Sequence, residues 1–210
     1  MPEKDSRVET GHRWVAAVYD WFNSASEWRI MHQYRPIIMG EAMGRVLEIG
    51  IGTGFSLPYY RQADEVIGIE PDPHMLKQAR ERLAKLGLTN VELRPDRAEA
   101  LPFEDSSFDA VVSSLVLCTV RDVPRSLAEA KRVLKPDGTF RFMEHVRSDG
   151  SFMGTIQDWI TPIWRWLAAG CHANRRTEQA IAAAGFQIEQ LWQLSVPPGQ
   201  RLIVGIARPA

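Results

Sequence analysis

Two acids and a run of glycines make the first chemical suggestion. Val46-Leu47-Glu48-Ile49 is an apolar, strand-like run that passes straight into Gly50-Ile51-Gly52-Thr53-Gly54-Phe55. Glycine at such a turn lets the backbone reverse tightly and approach a ligand with no Cβ in the way. The order is G-x-G-x-G. A dinucleotide loop needs G-x-G-x-x-G/A, and Phe55 stands where its third small residue would be. Glu48 lies two residues before Gly50, a poor neighbour for a pyrophosphate and a good one for a positive charge. Glu70 follows Gly50 by 20 residues, at the end of the next apolar run. A carboxylate there can accept the protons of both ribose hydroxyls.

The set therefore suits a nucleoside that carries positive charge and no phosphate. S-adenosylmethionine, with a sulfonium and an ammonium, is such a molecule. Methyl transfer from a sulfonium is an in-line displacement, so the protein mainly supplies alignment and a dry site. A base is needed where the acceptor must lose a proton. Ser114-Leu115-Val116-Leu117-Cys118-Thr119-Val120 follows another apolar run and is expected to face the methyl group, with Ser114 and Leu115 nearest the cofactor. His145 is expected at the carboxyl end of a strand, on the binding side. There it is either a proton carrier near neutral pH or a hydrogen-bonded structural histidine. Cys118 is either a participant or a small buried apolar residue.

These residues need elements to hold them. Helical spacing of Trp14, Val15, Val18, Tyr19 and Phe22 predicts a helical lead-in over 11–43. Strands are expected at 45–49, 65–69, 91–94, 108–114 and 139–145. Helices are expected at 73–86, with Pro73 in its first turn and Gly87 at its end, and at 124–134. Pro136-Asp137-Gly138 reads as a turn after the second helix. A helix near 178–184 and strands at 186–194 and 201–207 close the chain, the two strands forming an antiparallel hairpin about Pro197-Pro198-Gly199. Alternating strand and helix predicts a parallel, doubly wound α/β sheet. We read one domain over 1–210: a helical cap (1–43), a cofactor-binding core (45–146), a lid insertion (147–185) and closing strands (186–210).

The chain has 210 residues, 45% hydrophobic, with a formal net charge of -1. That is enough for a full core and leaves no electrostatic case for nucleic acid. Cys118 and Cys171 have no metal-ligand spacing, so no metal is expected, and two free thiols fit a reducing cytoplasm. Met1 to Thr10 is polar, and no run reaches the length of a membrane span. A cytoplasmic protein with a small-molecule substrate is expected. Residues 151–175 hold Trp159, Trp164 and Trp166 within eight positions. This stretch reads as a packing helix, as an apolar lid, or as a peripheral membrane contact, since Trp favours such boundaries.

The loop, Glu70, Arg97-Ala98-Glu99-Ala100-Leu101-Pro102-Phe103, Asp105-Ser106-Ser107-Phe108-Asp109 and Arg132-Val133-Leu134-Lys135-Pro136-Asp137-Gly138 resemble the class I S-adenosylmethionine-dependent methyltransferases of the ubiquinone-biosynthesis type. The resemblance covers about residues 45–146. It implies a Rossmann-like, seven-stranded sheet, mostly parallel with an antiparallel last strand. It places the cofactor over the carboxyl ends of the first four strands, among Glu48, Gly50, Gly52, Thr53, Gly54, Glu70, Pro71, Ser114 and Leu115. Family members usually carry Asp before Ala-Glu to accept the adenine amino proton. Here Arg97 stands there, so Asp96 or Glu99 is left for that role, and the backbone of Ala98 can read the adenine edge. Tyr19-Asp20 resembles a pair that such enzymes set over the methionine end, although it reads equally as helix packing.

Residues 115–120, 142–146 and the Trp-rich stretch ending in Gly170-Cys171 and Arg175 show a narrower resemblance. They look like a methyltransferase-like family that includes animal membrane-associated thiol S-methyltransferases. That resemblance runs from residue 45 to about 186. It implies a thiol acceptor near His145 and Cys118, with Trp159, Trp164, Cys171, His172 and Arg175 around it. Arg175 would either hold an acidic group by a bidentate fork or serve as a cap. The animal proteins' apolar anchor has no counterpart in 1–10, so membrane attachment is not carried over. Phospholipid N-methylation, C- or O-methylation of a quinone or natural product, and non-catalytic cofactor binding are the rival readings.

Overall fold

The computed structural model describes residues 27–147, 157, 159, 172, 174–196 and 200–210. Helix α1 (Glu27–Arg35) runs into a π-helical turn (Pro36–Gly40). There follow β1 (Gly44–Ile49), a 3-10 turn (Leu57–Tyr59), β2 (Ala63–Ile69), α2 (Pro73–Leu86), β3 (Val91–Arg94) and β4 (Phe108–Ser114). Then come α3 (Val123–Val133), β5 (Leu134–Val146), α4 (Thr177–Ala183), β6 (Phe186–Val196) and β7 (Gln200–Pro209). The strands form one seven-stranded sheet in the order β3-β2-β1-β4-β5-β7-β6. Strands β1 to β5 are parallel. Strand β7 is antiparallel to β5, and β6 pairs antiparallel to β7 at the edge. This is the doubly wound, Rossmann-like sheet expected from the sequence, with the last two strands paired antiparallel as expected; the expected turn Pro197-Pro198-Gly199 lies outside the described residues.

The sheet is buried on both faces, which is why its strands read as continuous apolar runs. Successive residues point to opposite faces. Val46, Val66, Ala110, Val112 and Met143 pack with Ile38 and Met39 of the π-helical turn. Leu47, Ile67, Val111, Phe140 and Phe142 pack with Leu127 of α3 and Ile181 of α4. Full burial of one such leucine contributes about 2 kcal/mol, so α3 is held by its apolar stripe of Leu127, Ala130 and Val133. Its ends are set locally, since Asp122 Oδ1 accepts from the Arg125 N–H at 3.0 Å. On α2, Asp72 caps the N-terminus through His74 and Met75, and Gly87 ends the helix at φ +65°.

One element departs from its expected bounds by more than two residues. Strand β5 begins at Leu134, not near Thr139. Phe108 pairs with Leu134 and Ala110 with Thr139, so two residues of β4 span five of β5. Pro136-Asp137-Gly138 is thus an irregularity inside the strand. The buried Leu134 side chain pins the strand start beside Phe108, and the backbone of Leu134 is already extended where α3 stops.

β1 lies between β2 and β4, so the strand order reverses there. Ligands of open α/β sheets bind at the carboxyl ends flanking such a point. Register brings those ends level: Ile49 pairs with Ile69 and with Ser113, and Ser114 pairs with Met143. Arg141 of β5 fixes the helical layer over this edge. Its Nη1 donates to the Ile37 carbonyl at 2.6 Å and lies 3.7 Å from Glu41. No helix among the described residues is long and apolar enough to cross a membrane.

Candidate active site

A cleft opens at the carboxyl edge of β1 and β4. Met31, Arg35, Met39, Glu48, Gly50, Ile51, Gly52, Thr53, Phe55, Ser56, Ser114 and Leu115 line it. Six of the residues expected around a cofactor therefore meet here: Glu48, Gly50, Gly52, Thr53, Ser114 and Leu115. The loop owes its shape to left-handed backbone at Gly50, Gly52 and Gly54 (φ +67°, +58° and +82°). At Gly50 a Cβ would overlap the Val116 side chain. At Gly54 it would come 2.8 Å from Leu57 Cδ1, on the side packed against α2. Gly54 is therefore a packing glycine.

Two carboxylates bracket the loop. Glu70 Oε2 accepts from the Gly52 N–H at 3.1 Å and its Oε1 from the Asp72 N–H at 2.8 Å. The end of β2 thus fixes the loop after β1. Burial pushes the Glu70 carboxyl up to about 7, against the two backbone donors. Pro71 beside it is exposed. Glu48 is buried, and its Oε2 accepts from Ser56 Oγ at 2.7 Å. Burial pushes its carboxyl up to about 7 as well, while the Ser56 and Tyr60 hydroxyls and the Arg35 charge favour its ionised form. Buried beside it, the Tyr60 phenol is pushed well above its usual range.

The acceptor side is the loop after β4. Leu115 takes φ +60°, a strained value for a leucine. Its N–H donates to the Met143 carbonyl at 2.8 Å. Glu144 of β5 is wholly buried, and its Oε1 accepts from Ser113 Oγ (2.7 Å) and from the Val116 and Leu117 N–H groups (3.1 Å each). Cys118 is 2% exposed and its thiol donates to the Leu115 carbonyl at 3.4 Å. From the other side, the His172 N–H donates to the Cys118 carbonyl at 2.8 Å. Arg175 Nη1 donates to the Leu117 carbonyl and Nη2 to the Val120 carbonyl at 2.8 Å. Both of these side-chain bonds go to backbone carbonyls of the loop after β4. His145 is half-buried at the carboxyl end of β5, opposite Leu202 of β7 and next in sequence to Glu144.

Asp96, Arg97 and Ala98, expected near adenine, are not among the residues that line this cleft. Asp96 is ion-paired with Arg94 at 2.7 Å, and the Arg94 guanidinium stacks 4.9 Å over the Phe103 ring. Ala98 is buried in the core. Arg97 faces Glu99 at 3.7 Å, and Glu99 accepts the Arg121 N–H at 2.9 Å, tying this segment to the loop after β4. Trp159 is 81% exposed. Tyr19, Trp164 and Cys171 lie outside the described residues. No cluster of His, Cys, Asp and Glu suited to a metal occurs among the described residues.

Residues 47–142 match the methyltransferase domain family. The thiol S-methyltransferase TMT1B of Rattus norvegicus is 36% identical over 168 residues, 76% of this chain and 66% of that protein. The phosphatidylethanolamine N-methyltransferase of Cereibacter sphaeroides is 31% identical over 199 residues, 94% of each chain. The chain belongs to the class I S-adenosylmethionine-dependent methyltransferases. A geranyl diphosphate methyltransferase solved with S-adenosylmethionine superposes with a TM-score of 0.70 over 86% of this chain and 85% of its own. At 16% identity that likeness shows the fold alone. The chain spans about two thirds of the length of the thiol methyltransferase it matches.

S-adenosylmethionine is the family's cofactor, and this methyltransferase has groups that fit it. Buried Glu48 lines the cleft, and its ionised carboxylate suits a cationic ligand. Glu70 stands beside the glycine loop, an acid of the kind that accepts from ribose hydroxyls. Two contributors to the site escaped the sequence reading. Arg35 reaches the cleft from α1, and its only sequence signal is a lone cation before the apolar run 36–39. Glu144 organises the loop after β4, and its signal is a carboxylate between the apolar Phe142-Met143 and His145 at a strand end.

Proposed function

We propose that this methyltransferase moves the methyl group of S-adenosylmethionine to a small, fairly apolar thiol or to sulfide. The observation that carries this reading is the 36% identity over 168 residues with a thiol S-methyltransferase. When bound, the cofactor supplies a methyl carbon activated on a sulfonium, so an acceptor sulfur can displace it in line and leave a neutral thioether. Glu48, Gly50, Gly52, Thr53 and Glu70 hold the cofactor, and Ser114 and Leu115 border its methyl side. Ala98, with Asp96 and Arg97, borders the adenine. The loop 115–118, fixed by Glu144 and Arg175, forms the apolar wall that excludes water and aligns the acceptor. His145 takes the acceptor proton. A thiol, with a pKa near ~8.5, needs that help less as the pH rises. The segment holding Trp159 and Trp164, with Cys171 and His172 at its end, serves as the lid.

A second reading, N-methylation of a phosphatidylethanolamine headgroup, is favoured by the match over 94% of both chains with the bacterial lipid enzyme and by the exposed Trp159. The test is conversion of S-adenosylmethionine to S-adenosylhomocysteine on three acceptor sets. These are small thiols and sulfide, a phosphatidylethanolamine dispersion, and phenols with quinols. Turnover on thiols and not on the others supports S-methylation. Turnover confined to lipid or to phenols rejects it.

A further inference from the structure

Arg35 ends α1, just where the chain bends into the π-helical turn that Arg141 holds against the sheet. It lines the same cleft as Glu48 and Gly50. Among the described residues its buried Nε has no hydrogen-bond partner. Its Nη2 reaches Met31 Sδ at 3.6 Å, and a thioether is a weak acceptor. The guanidinium carbon lies 6.0 Å from the Phe55 ring centre and 5.8 Å from that of Tyr59, so two rings steer its fork. A buried N–H of a charged group is costly unless something accepts from it. Arg35 also acts electrostatically on Glu48 across the cleft. One cation and one anion, carried on separate elements, thus converge where the glycine loop begins.

We propose that Arg35 receives the α-carboxylate of the cofactor's amino-acid end while Glu48 faces its ammonium. This rests on the family's use of S-adenosylmethionine. An amino acid is a zwitterion, and opposed charges on two elements match both of its poles at once. The planar guanidinium suits a carboxylate better than an ammonium point charge does, because its N–H groups bond both oxygens in parallel. The site then selects ligands that keep the amino-acid end over nucleosides that lack it.

Calorimetric titration of the full chain with S-adenosylhomocysteine and with 5′-methylthioadenosine, which has no amino-acid end, tests this directly. Arg35→Met keeps an apolar stem between Phe55 and Tyr59 and removes the charge. It should weaken S-adenosylhomocysteine by about 10- to 100-fold, the range for a charged hydrogen bond, and leave 5′-methylthioadenosine within about twofold. Arg35→Lys should lose less. Equal losses for both ligands would assign Arg35 to packing, and no loss would remove it from the cofactor site. Either result overturns the proposal. Decarboxylated S-adenosylmethionine on the unaltered protein gives the same comparison without a folding risk. It should bind more weakly than the intact cofactor by a similar factor, and equal affinity overturns the proposal. A wild-type chain that binds none of these ligands sinks the cofactor reading itself, a result distinct from equal losses in the variant.

Discussion

Glu144 Oε1 sits 3.1 Å from the backbone N–H of Val116. It joins the end of β5 to the loop that follows β4. The same oxygen takes the Leu117 N–H and the Ser113 hydroxyl, and the Leu115 backbone next to them is strained. A carboxylate in the apolar core thus fixes a loop in a conformation its own residues disfavour. Glu144→Ala leaves three buried donors without their acceptor and should destabilise the fold by about 3 kcal/mol or more. Burial pushes this carboxyl above its ordinary range, so the neutral amide of Glu144→Gln is a fair replacement and should cost about 1 kcal/mol. Urea unfolding of the two variants checks the order. Equal losses would show that the acceptor oxygen is not what holds the loop.

The glycine loop offers a paired comparison. Gly50→Ala adds left-handed strain and an overlap with Val116, and should destabilise by about 3 kcal/mol. Gly52 also has left-handed φ, but a Cβ there meets nothing within 4 Å. Gly52→Ala should cost about 1 kcal/mol in stability and weaken S-adenosylhomocysteine binding, because the methyl projects into the cleft. Thermal melting and titration of each variant separate packing from ligand approach. The idea fails if Gly52→Ala binds normally.

Glu48 and Glu70 give the apo protein a defined pH dependence. Both carboxyls are raised to about 7 by burial. The folded state therefore holds more protons than the unfolded chain between about pH 4.5 and 7, and stability falls as pH rises through that window. A shift of this size corresponds to up to about 3 kcal/mol for each group. Ligand binding runs the other way. An ammonium beside Glu48 favours its ionised form, so S-adenosylhomocysteine affinity should rise with pH up to about 7 and then level off. Besides the ligand, Arg35 supports the charged form of Glu48, with the Ser56 and Tyr60 hydroxyls, whereas Glu70 faces Asp72. Titration of Glu48→Gln from pH 5 to 8 should give a flatter curve. An unchanged slope would move the linkage elsewhere.

For His145, acceptor chemistry sets the outcome. If it takes a thiol proton, His145→Ala should lower turnover at pH 7 by about tenfold or more, at or below the usual range for a general base. Near pH 9 the deficit should shrink to about threefold, since a thiol of pKa ~8.5 is then mostly thiolate. Initial rates across pH 6.5–9 test this. A constant deficit would make His145 structural.

Much of this protein was legible in its residues because local rules and the function agree. The run 46–55 shows both the buried strand and the left-handed glycine turn. Glu70 stands at the interval a ribose acceptor needs, and Pro73 and Gly87 mark the ends of α2. The turn signal Pro136-Asp137-Gly138 falls where β5 leaves its pairing with β4, but the pairing of Leu134 with Phe108 starts the strand before it.

The residue types and spacing by themselves determined the doubly wound fold, the edge of the sheet that carries the site, and the two acids that flank the glycine loop. Those features depend on contacts near in sequence, on hydrophobic period, and on glycine's freedom at φ above zero. Tertiary structure alone decided that Arg35 reaches Glu48's cleft from another layer, that Glu144 governs 115–117, and that Arg175 spends its fork on the Leu117 and Val120 carbonyls. The last two contacts join residues 27 or more positions apart. Periodicity carries no information on such pairs, because each is fixed by how the layers pack and by the need of every buried polar group for a partner.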